Sequence, residues 1–345
     1  MEEVLFEQRG RAGLITLNRP KALNALTLDM VLAMRAKLEA WRHDASIELV
    51  VVRGAGDRAF CAGGDIRALH DSGKAGTRYA IDFYAHEYRL NRVIKRYPKP
   101  YIALINGIVM GGGVGVSVHG LYRVVGEGCM FAMPETGIGL FPDVGGTYFL
   151  PRCPGEIGMY IGLTGARLDV TDAKYATVAT HIVPAPQHEA LVTALAEGAN
   201  AVERTLAQFA ITSANKSKVA GLQSTIDRHF AQESVEATMA SLAADKSMFA
   251  EQTLTWLRSK SPTSLKVTHR QIREGKKLGF EECMQLEFRL TNRFMSGHDF
   301  YEGVRAVIVD KDNAPKWDPA TIDTVAPSAV DAYFAALPGG DLTLD

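Results

Sequence analysis

The sequence predicts an α/β fold built on a buried parallel sheet, followed by a helical C-terminal region. Three observations carry that expectation. Aliphatic and β-branched runs, IELVVVRGAG (47–56) and KPYIALING (99–107), end in glycine and lead into helical patterns. The unit of strand, glycine turn and helix recurs at 49–70 and 101–120. From Gln187 to Met295 the pattern is almost wholly helical.

The elements follow in order. VLFEQ and RAGLITLNRP read as a hairpin, with Gly10 and Gly13 near the turn. A helix follows with Thr27 or Asn24 as its cap, and with Leu28, Met30, Val31, Met34, Leu38 and Trp41 as its apolar stripe. Gly63-Gly64-Asp65 leads into a second helix, and Tyr79–Lys95 reads as a third that carries Glu87. Gly111-Gly112-Gly113 opens a further helix through Val114–His119, and YRVVGEGCMFAMPE supplies two more strands. TYFLPRCPGEIGMYIGLTG and TDAKYATVATHIVP read as helix, helix and short strand. Two regions result, 1–190 as the α/β core and 191–345 as helical region and tail, the tail beginning at the polar DKDNAPKWDPATIDTV.

Composition excludes several classes. The chain has 345 residues, 47% hydrophobic and 22% charged, ordinary for one large or two modest globular domains. Its net charge of -1 gives no field to draw it onto nucleic acid or a membrane surface. No apolar run approaches the roughly 18 residues of a membrane span. Cys61, Cys129, Cys153 and Cys283 form no CxxC or other metal spacing, so neither a disulfide framework nor a metal set is expected. A reduced, cytoplasmic setting is the simplest expectation, and MEEVLFEQRGRAGLITL has neither signal-peptide nor presequence character.

The chemistry concentrates in Pro100–Gly146. Two amides that converge at a glycine turn, ahead of a helix, stabilise an oxyanion, because glycine lets the backbone approach its ligand. Gly64 and Gly112 each stand at such a place, although strand-to-helix turns alone also use glycine. Glu135 and Asp143 lie eight positions apart, Glu135 after the apolar CMFAM and Asp143 in FPDVGG. A carboxyl beside apolar groups is desolvated, which raises its pKa and suits proton transfer or attack on a carbonyl. As an isolated pair the two read first as solvated loop charges or helix caps. Glu87 on its apolar helix reads as a rim charge, His119 as a packed histidine and Cys61 as a small apolar residue. Arg305 and Lys311 could meet a phosphate or simply face solvent.

NRPKALNAL, AFCAGGDI, ALINGIVMGGGVG and PETGIGLFPDVGGTYFLPR together resemble the crotonase (enoyl-CoA hydratase/isomerase) superfamily over roughly residues 1–185. GGGVGVSVHG, PETGIGLFPDVGG and DFYEGVRAVIVDKDNAPKW resemble its 3-hydroxyisobutyryl-CoA hydrolase branch, over nearly the whole chain. The resemblance implies a spiral of ββα repeats with a helical C-terminal region. It implies an oxyanion hole at Gly64 and Gly112, with CoA along Lys21, Ala22 and Leu23 and along Ala62, Gly63, Asp65 and Ile66. It also implies Glu135 and Asp143 as catalytic groups and Glu87 as a substrate contact. Hydratases of this superfamily place a second glutamate where this chain has Gly115. The activity implied is therefore hydrolysis of a short β-hydroxyacyl-CoA thioester, with Glu135 as nucleophile or as base for water. The alternatives are an enoyl-CoA hydratase or isomerase, or a non-catalytic CoA-binding or scaffold protein. No cofactor is expected beyond the CoA of the substrate, and a homo-oligomer of trimer type or lower is implied.

Overall fold

The computed structural model describes residues 2–213 and 215–344. β1 (Val4–Arg9) and β2 (Ala12–Leu17) form the expected antiparallel hairpin, with Gly10 at φ 54° in the turn. Gly13 lies inside β2 instead, where a Cβ would come within 2.6 Å of the Trp41 ring. α1 (Leu28–His43) starts at Thr27, whose hydroxyl accepts from the Met30 amide at 3.3 Å. Asn24, the other candidate cap, is buried at positive φ and donates to the carbonyls of Ala55 and Ala59.

Then come β3 (Leu49–Gly54), β4 (Ala59–Cys61), α2 (Ile66–Lys74), α3 (Tyr79–Lys95), β5 (Tyr101–Ile105), β6 (Ile108–Met110) and α4 (Gly112–Gly115). α4 is four residues long, three of them glycine, and turns replace the helix expected through His119. Glycine's backbone entropy makes a longer helix there costly. β7 (Tyr122–Val125), β8 (Met130–Ala132), α5 (Gly146–Phe149), α6 (Ile157–Thr164), α7 (Val170–Tyr175) and β9 (His181–Ile182) follow.

The strands sort into two sheets. One has six strands in the order β1-β2-β3-β5-β7-β9, parallel from β2 onward. The other has three parallel strands, β4-β6-β8. Each of the pairs β3/β4, β5/β6 and β7/β8 sends its first strand to the large sheet and its second to the small one. This repetition is the spiral of ββα units. β4 and β6 span only three residues each, too short for any periodicity to betray them.

The remaining helices are α8 (His188–Leu195), α9 (Val202–Phe209), α10 (Lys218–Phe230), α11 (Val235–Ala244), α12 (Met248–Arg258), α13 (Pro262–Gly275), α14 (Phe280–Phe294), α15 (Asp299–Val304) and α16 (Pro327–Phe334). Ser234, Ser247 and Ser261 cap α11, α12 and α13 through their hydroxyls. α16 lies within the stretch expected to be a plain tail. Ala214, inside the expected helical span, lies outside the described residues.

The chain divides into two compact units of non-consecutive segments. Met1–Asp65, His86–Ala132 and Arg167–Ala220 form the first, which contains both sheets. Its core joins Leu14, Val51, Ile102, Leu104 and Val124 of the large sheet to Leu191, Leu195 and Leu206 of α8 and α9. Each such side chain contributes roughly 1.5–3 kcal/mol by leaving water. Ile66–Ala85, Met133–Ala166 and Gly221–Asp345 form the second unit, which is helical. There Phe141 stacks on Phe294 of α14 with ring centroids 5.4 Å apart, and Tyr333 of α16 packs on the same Phe294 at 4.6 Å.

Candidate active site

In the first unit the two glycine turns lie side by side. Gly64 follows β4, Gly112 follows β6, and those strands pair in parallel. A Cβ built on Gly112 would stand 3.3 Å from the Gly64 amide nitrogen and would collide with Glu87 Oε1. Gly63 at φ 117° and Gly111 at φ 45° bend the backbone into these turns. Among the described residues, neither the Gly64 nor the Gly112 amide donates a hydrogen bond to the protein. Two neighbouring free amides, one at the head of a short helical turn, can receive an oxyanion.

The two stretches expected to hold CoA meet edge to edge. The Ala62 amide donates to the Leu23 carbonyl at 3.0 Å, Leu26 to Gly63 at 2.8 Å and Asp65 to Leu26 at 2.9 Å. Lys21 and Ala22 lie exposed in the 3-10 turn Pro20–Ala22, and Leu23 is half-buried at φ 52°. Asp65 pairs with Arg19 at 3.0 Å. Ile66 opens α2 in the second unit.

Glu87 is no rim charge: it is 2% exposed on the buried face of α3. Tyr84, Glu87, Tyr88 and Asn91 recur there at helical spacing, and Asn91 is fully buried, both its amide atoms unpartnered among the described residues. Cys61 is buried, donates to the Gly63 carbonyl, and has its thiol pushed up to about 12 by desolvation, which makes it inert. His119 is buried.

The acids belong to the second unit. Glu135 heads the 3-10 turn Glu135–Ile138, beyond the end of β8 rather than on it. Thr136 anchors that turn, its hydroxyl donating to Leu163 at 3.1 Å and its carbonyl accepting from Ser261 at 3.1 Å. Gly139 at φ 69° closes it against the Asp299 backbone, where no side chain fits. Glu135 is 4% exposed, and among the described residues its Oε2 has no hydrogen-bond partner. Burial lifts its carboxyl well above the ordinary range, and the charges of Asp143 and Glu287 push the same way.

Asp143 is equally buried, in a turn closed by its own carbonyl accepting from Gly146 at 2.8 Å. The next residues, Val144 at φ 49° and Gly145 at φ 90°, are both left-handed. A β-branched residue is strained there and must be held. Glu287 and Gln271 hold it. Glu287 of α14 accepts the Gly145 amide at 2.8 Å and the Thr147 amide at 2.9 Å. Gln271 of α13 donates to the Pro142 carbonyl at 2.7 Å and the Thr147 hydroxyl at 2.8 Å. Desolvation pushes Glu287 up to about 8, against the pull of its two amides.

Sequence reasoning missed Glu287 and Gln271, which act across the chain, 142 residues separating Gly145 from Glu287. One signal was present: Glu287 falls on the buried stripe Cys283, Glu287, Leu290, Thr291 and Phe294. Arg305 is committed to Glu302, Asp310 and Asp312, at 2.7–2.9 Å.

The enoyl-CoA hydratase/isomerase family model matches residues 12–334. The chain belongs to the enoyl-CoA hydratase/isomerase family. A Danio rerio protein named 3-hydroxyisobutyryl-CoA hydrolase, mitochondrial, is 49% identical to this family member over 99% of this chain and 92% of its own. The Homo sapiens protein of the same name is 45% identical over 99% and 90%. A crystal structure titled as a carnitinyl-CoA dehydratase from Mycobacterium thermoresistibile superimposes with TM-score 0.95 at 42% identity, covering 100% of this chain and 99% of its own. One titled as an enoyl-CoA hydratase from Rhodobacter sphaeroides 2.4.1 superimposes with TM-score 0.92 at 42% identity, covering 99% and 100%. The crotonase fold expected for the family member is therefore the observed one.

The cytoplasmic expectation is corrected. Both curated relatives carry "mitochondrial" in their names and point to that compartment. The four cysteines are free and buried, a state that does not distinguish one compartment from another. Among the described residues of this family member no helix is long and apolar enough to cross a membrane.

Proposed function

We propose that the protein hydrolyses a short β-hydroxyacyl-CoA thioester, 3-hydroxyisobutyryl-CoA, to 3-hydroxyisobutyrate and CoA, as in valine degradation. The observation that carries the reading is Glu135, a buried carboxyl with raised proton affinity and one unpartnered oxygen. The Gly64 and Gly112 amides polarise the thioester carbonyl, and Lys21–Leu23 and Ala62–Ile66 lie along CoA. Glu135 Oε2 attacks the carbonyl or takes a proton from the attacking water. By the first route the C–S bond breaks to a mixed anhydride and CoA thiolate, and water then cleaves the anhydride. Asp143 orients the water or the substrate hydroxyl, or returns a proton to the thiolate. Glu87 contacts the acyl portion beside Gly112. One oxyanion donor contributes about 3 kcal/mol to such a transition state. The substrate brings its own CoA, so no other cofactor enters. Assembly as a homo-oligomer, trimer-type or lower, is part of the same reading and is checked by light scattering.

The names of the curated relatives, at 45–49% identity over nearly the full chain, support the hydrolase reading. The titles of the two solved structures favour a second one, addition or loss of water at a double bond. Gly115 argues against it, because a glycine at that position can neither donate nor accept the second proton. A buried, unpartnered carboxyl oxygen argues equally against a scaffold without turnover. A panel of acyl-CoA thioesters followed by thiol release, beside crotonyl-CoA followed by loss of the conjugated enone, decides. Thiol release from 3-hydroxyisobutyryl-CoA with no enone loss is expected. Enone loss without thiol release overturns the hydrolase reading.

A further inference from the structure

We propose that Glu287 is a positioning residue for the hydrolysis: its two-oxygen clamp on the Gly145 and Thr147 amides holds the turn that carries Asp143. The inference rests on the hydrolase reading and adds to it a residue that acts through another. The geometry is specific. Asp143 sits immediately before Val144, a β-branched residue at φ 49°, and before Gly145 at φ 90°. Left alone, a turn with valine in the left-handed region relaxes to another conformation and carries Asp143 with it. Four hydrogen bonds from two distant helices oppose that relaxation. Two end on Glu287 of α14 and two begin on Gln271 of α13.

A helix cap would explain one of the Glu287 contacts. It does not explain the choice of residue. A fully buried carboxyl costs desolvation that a neutral acceptor avoids. Glutamate presents two acceptor oxygens in one plane, and here they bridge the amides on both sides of Gly146. Glutamine has one acceptor oxygen, and its NH2 would face the other amide donor. Glu287→Gln therefore opens the clamp at one of its two points while keeping volume and shape.

The test is a double-mutant cycle on the full-length protein. Thiol release from 3-hydroxyisobutyryl-CoA is measured for wild type, Glu287→Gln, Asp143→Asn and the double variant, with kcat expressed per CoA-binding site counted by calorimetry. Glu287→Gln is expected to lower kcat roughly 10–100-fold with KM within about twofold, as a displaced catalytic group does. In the Asp143→Asn background the same change is expected to cost less than about twofold, because the group it positions is already gone. Additive losses, or wild-type kcat in Glu287→Gln, overturn the proposal. Should Glu287→Gln lose its CoA-binding sites, Gln271→Leu in the same cycle decides by the same criterion, since it releases the turn from its other end. Wild-type protein that releases no thiol overturns the hydrolase reading and this inference with it. Wild-type turnover beside an additive cycle overturns this inference alone.

Discussion

The two compact units are chemically opposite. The first presents neutral backbone: two glycine amides, held by adjacent parallel strands and short turns, with Glu87 packed against Gly112. The second presents ionisable side chains: Glu135 and Asp143, buried on turns, and Glu287, buried on a helix that holds the Asp143 turn. Backbone donors need only a correct chain path, which local glycines and strand pairing provide. Buried carboxyls need that path, partners to satisfy them, and one oxygen left unpartnered to react. The comparison teaches that free backbone donors follow from local glycine turns, whereas buried carboxyls are held by long-range contacts.

The largest expected effect tests the second unit. Glu135→Gln keeps the shape and removes the reacting oxygen, so kcat for thiol release should fall roughly 10²–10⁴-fold with CoA affinity retained. Near wild-type turnover would move the chemistry elsewhere. Gly112→Ala tests the first unit. Its Cβ enters the space of Glu87 Oε1 and Leu26, so kcat should fall about 10²-fold while the circular dichroism spectrum stays that of the wild type. A smaller loss than from Glu135→Gln in the same assay is what the comparison requires.

The pH dependence sharpens it further. Glu135 must be ionised to act and its proton affinity is raised, so kcat/KM should fall on the acid side along a limb well above the ordinary glutamate value of 4.5. A limb near 4.5 would mean that Glu135 is not the group observed. The smallest effect belongs to Lys21→Ala: an exposed charge on the stretch proposed to lie along CoA should change KM about two- to fivefold and leave kcat alone.

Much of the first unit was legible because its signals are local. The run VVVRG announces a buried parallel strand, and AFCAGGDI and MGGGVG announce turns that only glycine can make. Thr27 against Asn24 was not decidable locally. Both residue types cap helices, and only the packing of Asn24 against Ala55 and Ala59 separates them. Glu87 looked like a rim charge because a carboxylate on an otherwise apolar helix is usually placed at its edge, and burial is a property of what packs against a helix. The π-turn at Arg305–Val309 and the commitment of Arg305 to three acids were likewise invisible.

By itself the sequence determined the α/β class, the positions of the glycine turns, the family resemblance and the candidate acids Glu135 and Asp143. These follow from residue type, spacing and backbone freedom, which act within a few positions of one another. Only the tertiary structure decided that the Gly64 and Gly112 amides adjoin, that Glu135 keeps an unpartnered oxygen, and that Glu287 and Gln271 clamp the Asp143 turn. The physical reason is that desolvation and hydrogen-bond satisfaction are set by neighbours in space, and here those neighbours come from helices more than a hundred residues away.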